Sequence, residues 1–401
     1  MSFSYTLVHE PTWTLAIRDG PFCTLCSESS LFISPHRIIL KTCGTTLNLL
    51  GLPRILEIAR EHASLHTVYR CFYSRKAFMF PERQLNPHRH WKDEVDFLDG
   101  IFQNGAAYTV GKVNGDHWLL YLTGPDDAPD NKLEIPRGLL SQSPMYENGL
   151  FHPQIESFGS GLFQDSTIEI LMSDLSPESC QPFLSQHRDV HKSPTSHAQL
   201  LSSALGISQI FPPHLTTLDA YSFSPCGYSA NALIRWDNNV DNYDRGVEPG
   251  GQPEREGYYT IHVTPEEGSS YASFECNVPL PTSARSSSPH PPCVPDLQTL
   301  VQRVVAIFHP GRLSLTLFIS SEDDDSNGHG GTKEGEEDSD NGDTAVEAAQ
   351  RAFKAALTSV HAIKNVDGQD PGKRYCYRRT DKINYEFGGY DLAFASFEIL
   401  R

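Results

Sequence analysis

The chain has 401 residues, of which 38% are hydrophobic, enough for a folded core in one large domain or two ordinary ones. Its formal charge of −18 argues against nucleic acid as a general partner, and no apolar run approaches the roughly 18–20 residues that span a bilayer. The opening MSFSYTLVHEPTW lacks the basic and apolar regions of a secretory signal, and nine scattered cysteines fit reduced thiols, so a cytoplasmic location is expected.

In chain order, Cys23 and Cys26 form a C-x-x-C with no second pair at ligand spacing, and no metal site is expected from them. SLFIS and RIILKTC read as strands, TTLNLLGLPRILEIAREHA as a helix with Pro53 in an early turn, and HWKDEVDFLDGIF as a second helix. GAAYTVGKV and HWLLYLTG then read as a hairpin. STIEILMS, YYTIHVTP and SYASFECN are strands, LQTLVQRVVAIFHPG a helix, LSLTLFIS a strand, AVEAAQRAFKAALTSVHA a helix and YDLAFASFEIL a last strand. SPCGYSAN is turn-prone and reads as a loop. Insertions are expected at 237–256 and 278–295. An acidic disordered loop is expected at 321–345, where ten acids and one base stand between Glu322 and Asp343. Runs of strands and helices in this mixture indicate an α+β fold, with neither GxGxxG nor P-loop.

Alternation along strands assigns faces. Tyr259, Ile261 and Val263 share one side, and Tyr258, Thr260, His262 and Thr264 the other, so His262 sits on a polar face where a titrating ring is useful. Asp165, Thr167 and Glu169 likewise share a face opposite Ile168, Ile170 and Met172. An ordinary half-exposed strand has that pattern; if the face is buried, its carboxylates need cationic partners, a role a small diamine could fill. Cys43 ends a strand beside Gly44, and most such cysteines are small core side chains.

Together SESSLFIS, LKTCGTT, FYSRK, IFQNGAAYTVGKV, DSTIEILMSDL, FSPCGYSAN, YYTIHVTPE, YASFECN and GGYDLAFASFE resemble the eukaryotic S-adenosylmethionine decarboxylase proenzymes, fungal members above all. The resemblance implies a single domain over 1–401, built as a four-layer αββα sandwich of two antiparallel sheets with helices on the outer faces. It implies self-cleavage between Glu28 and Ser29 into a β chain (1–28) and an α chain (29–401). Ser29 Oγ would attack the Glu28 carbonyl in an N→O acyl shift, and removal of the Ser29 α-proton by His262, with Ser229 assisting, would eliminate the Glu28 carboxylate. Ser29 would end as a covalent pyruvoyl group, the carbonyl that forms a Schiff base with the substrate amine. Cys43 matches the proton donor to the substrate, Phe223 an aromatic that stacks on adenine, and Glu266 the acid on the ribose hydroxyls, with Cys26 and Glu28 contributing main-chain contacts. Asp165, Thr167, Glu169 and Glu275, lined by Phe72, Ser74, Phe318 and Tyr390, match an activator site for putrescine. Family likeness alone suggests a homodimer and a place in spermidine and spermine synthesis.

The N-terminus departs from the pattern. Only 28 residues precede Ser29, and nothing in MSFSYTLVHEPTWTLAIRDGPF matches the family's longer leader with its Phe-Glu-Gly-x-Glu motif. On this reading one adenine-stacking ring and one strand are missing, and a sheet edge lies open. A further N-terminal exon in the natural protein is the favoured explanation. The alternative is a truncated, catalytically inactive homologue that regulates an intact partner, which would remain a single uncleaved chain. A Cys43/His262 thiol hydrolase is the third reading, weakened by the absence of a nucleophile elbow.

Overall fold

The structure is a computed structural model that describes residues 2–8, 22–26, 29–34, 37–42, 46–115, 117–123, 166–184, 193–236, 255–282, 294–320, 344–358, 375–387 and 390–400. The chain divides into two compact units whose segments interleave: Met1–Pro21, Ile33–Tyr108 and Leu119–Gln164 in the first, Phe22–Phe32, Thr109–Trp118 and Asp165–Arg401 in the second.

The N-terminal part supplies strands β1 (Ser2–Val8), β2 (Phe22–Cys26), β3 (Ser29–Ser34), β4 (Arg37–Lys41), β5 (Thr67–Lys76), β6 (Gly105–Gly111) and β7 (His117–Thr123), with helices α1 (Asn48–Ala63) and α2 (Trp91–Asp99). Their hydrogen-bonded order is β2-β3-β4-β1-β5-β7-β6. In the first unit, α1 buries Leu49, Leu52, Leu56 and Ala59, a stripe at helical spacing, against Cys71 and Tyr73 of β5, Tyr121 of β7 and Leu98 of α2. Each large apolar side chain so buried contributes about 1.5–3 kcal/mol. Four polar side chains lie inside the same unit. Glu94 of α2 accepts hydrogen bonds from Tyr73 Oη (2.7 Å), from Arg75 Nε (2.8 Å to Oε2) and from His88 Nδ1 (2.7 Å). His88 Nε2 in turn accepts from the Leu49 N–H at 3.4 Å, which serves one of the open donors at the start of α1.

One expectation fails here. The residues before Ser29 do not leave an edge open: β1 pairs antiparallel with β4 on one side and β5 on the other. SFSYTLV alternates small or polar with apolar residues, a strand pattern that family comparison alone passes over.

The second unit is built on β8 (Ser166–Leu175), β9 (Thr216–Ser222), β10 (Tyr228–Trp236), β11 (Arg255–Thr264), β12 (Tyr271–Cys276), β13 (Pro310–Ser320), β14 (Tyr377–Phe387) and β15 (Tyr390–Ile399). These form an eight-stranded sheet, β14-β15-β13-β8-β12-β11-β10-β9, antiparallel at every step. The helices are α3 (Pro177–Cys180), α4 (Pro194–Ala204), α5 (Leu297–Phe308) and α6 (Ala345–Thr358). One sheet face, carrying Ile168, Ile170, Ala230, Ala232, Tyr259, Ile261, Phe274 and Leu315, forms a single core with Ala198 of α4, Leu300 and Val304 of α5 and Phe353 of α6. Asp296 caps α5, its Oδ1 accepting the Thr299 N–H at 2.7 Å. Strands in two sheets with helices packed on them make the fold class α+β.

Three boundaries need correction. SPCGYSAN is not a loop throughout: the turn ends at Gly227, and Tyr228 opens β10. The insertion at 237–256 ends sooner, since β11 starts at Arg255, and Val278, expected in an insertion, is buried in the core. Ala345 already belongs to α6. Residues 237–254, 283–293 and 321–343 lie outside the described residues. No described helix is long and apolar enough to cross a membrane.

Candidate active site

The second face of the eight-stranded sheet is polar and buried, an arrangement that demands internal hydrogen bonding. It is the face to which strand alternation assigns Tyr258, Thr260 and His262. Ser229 and His262 are register partners on β10 and β11, and two pairs along the same strands, on the same face, Asn231 stands opposite Thr260. All four are buried. The turn that delivers Ser229 is tied at both ends: Phe223 N–H donates to the Gly227 carbonyl at 3.0 Å, and Gly227 N–H to the Phe183 carbonyl at 3.1 Å. Gly227 has φ +109°, a backbone region open to glycine and strained for other residues.

Among the described residues, three hydroxyls converge on the His262 ring. Ser229 Oγ lies 3.0 Å from Nδ1, Ser30 Oγ 2.9 Å from Nε2 and Thr260 Oγ1 3.3 Å from Nε2. Thr260 also donates to Asn231 Oδ1 at 2.8 Å and lies 3.3 Å from Ser30 Oγ. Phe32, on the same side of β3 as Ser30, packs on Tyr258 with ring centroids 4.5 Å apart. The segment that begins at Ser29 therefore enters this polar face by Ser30, while Ser29 itself is half-buried at the first position of β3. The chemistry available is proton transfer by an imidazole with hydroxyls on both nitrogens, beside a serine-rich strand start.

Ser30, Thr260 and Asn231 were not assigned to the site by the sequence reading. The signal was present: in a strand starting at Ser29, period-two alternation groups Ser30 with Phe32, away from Ser29.

Farther along the same face, Glu169 of β8 and Glu275 of β12 are direct register partners. Both are buried, at 7% and 4% exposure. Tyr258 Oη donates to Glu275 Oε1 at 2.6 Å, and Thr316 and Thr260 stand beside the two acids in register. Like charges directly opposite one another destabilise a sheet, a repulsion that a proton or a neighbouring cation relieves. Thr167 is paired in register with Phe318, whose ring meets Trp118 at 5.0 Å and Tyr390 edge-on at 6.5 Å. Phe72 and Ser74 belong to the first unit, on β5; Ser74 is buried and Phe72 half-buried.

Three of the remaining predicted residues are described. Phe223 is half-buried, its ring 4.9 Å from that of Tyr221. Glu266 is exposed in the turn after β11, its carbonyl accepting from the Ser269 N–H. Cys26 lies in β2, and only its place in that strand is described. Glu28, Cys43 and Asp165 lie outside the described residues.

With this geometry in hand, comparison with known proteins is specific. The family model for adenosylmethionine decarboxylase matches residues 23–398. The S-adenosylmethionine decarboxylase proenzyme of Xenopus laevis is 36% identical over 294 residues, covering 73% of this chain and 66% of that protein. That of Saccharomyces cerevisiae is 29% identical over 321 residues, covering 74% and 68%. The chain therefore spans about two thirds of the length of these relatives. The Trypanosoma brucei AdoMetDC-delta26 monomer superposes with a TM-score of 0.48 at 19% identity, over 92% of this chain and 99% of that one.

Proposed function

The chain belongs to the adenosylmethionine decarboxylase family, and from that premise we propose that it is a self-processing, pyruvoyl-dependent decarboxylase of S-adenosylmethionine. The observation that carries the reading is the convergence of Ser229 and Ser30 on the two nitrogens of His262, at the start of the strand that opens with Ser29. Ser29 is half-buried and directly precedes the Ser30 that hydrogen-bonds the imidazole, which supports a pyruvoyl group made from Ser29 next to this site in the chain. Such a group supplies a carbonyl for the substrate amine and a sink for the electron pair left by CO₂.

The chain's own residues have these roles. Ser29 Oγ attacks the Glu28 carbonyl, exchanging an amide for an ester; His262, with Ser229 assisting, removes the Ser29 α-proton as the Glu28 carboxylate leaves, and water converts the resulting dehydroalanine to the pyruvoyl group with release of ammonia. Cys43, a thiol mostly protonated at neutral pH, returns a proton to the substrate. Phe223 supplies one aromatic face for adenine, and Glu266 and the main chain of Cys26 and Glu28 hold the nucleoside. Glu169 and Glu275, with Asp165 and Thr167, bind putrescine as an activating dication. The product is an aminopropyl donor for spermidine and spermine synthesis in the cytoplasm.

Intact-mass measurement of freshly purified protein tests the reading. Two chains are expected, one ending at Glu28 and one starting with a pyruvoyl group in place of Ser29. A single uncleaved chain would overturn self-processing and favour the inactive-partner alternative.

A further inference from the structure

The hydrogen bonds around His262 are given a direction from one end. Thr260 Oγ1 donates to Asn231 Oδ1 at 2.8 Å. A hydroxyl has one proton, so toward its other neighbours Thr260 can only accept. Those neighbours are His262 Nε2 and Ser30 Oγ, each at 3.3 Å. A bare Nε2 would turn its lone pair toward that of Thr260. An Nε2–H instead donates to Ser30 Oγ at 2.9 Å, Ser30 passes its own proton to Thr260, and the bare Nδ1 accepts from Ser229 at 3.0 Å. In this arrangement each hydroxyl and ring nitrogen is used; in the reverse one the Thr260 lone pair facing the ring is not.

We propose that Thr260 and Asn231 are positioning residues that hold the His262 proton on Nε2. The ring is then a hydrogen-bond donor toward the Ser29–Ser30 segment and a base only at Nδ1, so under the proposed function the Ser29 α-proton reaches it through the Ser229 hydroxyl. Rigid strands enforce this, because Asn231 stands opposite Thr260 two register steps from the Ser229–His262 pair, on the same sheet face. Asn231 is 1% exposed, and among the described residues its Nδ2 makes no hydrogen bond, so the contact with Thr260 is what orients the amide. A ring that donates toward the cleavage segment can stabilise the oxygen that gains charge when a serine attacks a carbonyl. Removing one such donor costs about 10²–10³ in rate.

Only this rate consequence rests on the self-cleaving reading; the position of the proton does not. Nitrogen NMR of histidine-labelled Ser29→Ala protein, with His262→Gln to assign the signal, reads the tautomer in the uncut chain. A protonated Nε2 and bare Nδ1 are expected. The opposite tautomer would mean that Asn231 presents its nitrogen to Thr260 and would overturn the inference. Asn231→Leu frees the Thr260 proton to point at Nε2 and should reverse the tautomer; an unchanged tautomer sinks the proposal. If that variant does not fold, Thr260→Val and Thr260→Ser, placed in the chain that retains Ser29, decide the matter. Cleavage should slow at least tenfold with valine and return to within about twofold with serine, and equal rates in all three overturn it. A parent chain that never cuts itself refutes the proposed function and leaves the tautomer measurement standing.

Discussion

Glu94→Gln should cost the first unit about 3–5 kcal/mol, although it alters no shape and touches no residue assigned to catalysis. The carboxylate is fully buried and accepts from Tyr73, Arg75 and His88 at 2.7–2.8 Å. Glutamine keeps one acceptor but turns an amide nitrogen toward one of those donors. It also leaves the Arg75 guanidinium, buried at 6% exposure, without a counter-charge. Breaking a buried ion pair from one side costs about 3–5 kcal/mol. Arg75 keeps its places over the rings of Phe78 (4.4 Å) and Trp91 (5.7 Å), contacts worth about 0.5–2 kcal/mol that favour the lower end of the range. Urea unfolding followed by tryptophan fluorescence is a direct assay, since Trp91 lies 6.1 Å from the Tyr73 ring and reports on the network. With a slope of about 2 kcal/mol per molar, the midpoint falls by about 1.5–2 M. Adding Arg75→Met removes the stranded charge and should recover at least half of the loss. A midpoint shift below about 0.5 M, or a double variant as unstable as the two singles summed, would refute the reasoning.

Two further outcomes are expected. Burial pushes the Cys276 thiol up to about 12 from 9.0, so the folded state keeps a proton that the unfolded chain releases. Stability therefore falls as pH rises from about 9 toward 12, and Cys276→Val should make that slope shallower in urea titrations at each pH; an unchanged slope refutes the assignment. Putrescine at about 100 times its Kd should stabilise the parent protein by about 2.7 kcal/mol in thermal melts. Glu275→Gln keeps an acceptor for Tyr258 but halves the charge of the pair, and should weaken that binding at least tenfold; equal stabilisation of the variant would remove the acids from the site.

Much of this architecture was legible where one physical signal dominates. The two faces of β11 follow from alternation alone, and the polar one holds His262 as read. The amphipathic stripes of α1, α5 and α6 give helices that pack on sheets for the same reason. SPCGYSAN misleads because turn-forming residues crowd its first half: Pro225 and Gly227 make the turn, while the Ser-Ala-Asn that follows is strand, held by ladders to β9 and β11 that no local propensity reports. Ser30 is masked in the sequence by the motif it shares with the reacting serine, although alternation puts the two on opposite faces. The Tyr73–Arg75–His88–Glu94 set is bonded across separations of 6 to 21 positions through tertiary packing, and nothing in their spacing announces it.

The place of β1 fixes an order of events. Ser2–Val8 is held by backbone ladders on both flanks, to β4 and to β5. A cut after Glu28 would sever the covalent link without freeing the shorter piece, which could leave only by opening a sheet from its middle. The small chain would then be no discarded pro-segment but a permanent, non-exchanging subunit. Threading it in afterwards would be as hard as extracting it, so assembly has to be finished before the bond is broken, and a chain supplied already in two pieces should fail to reconstitute.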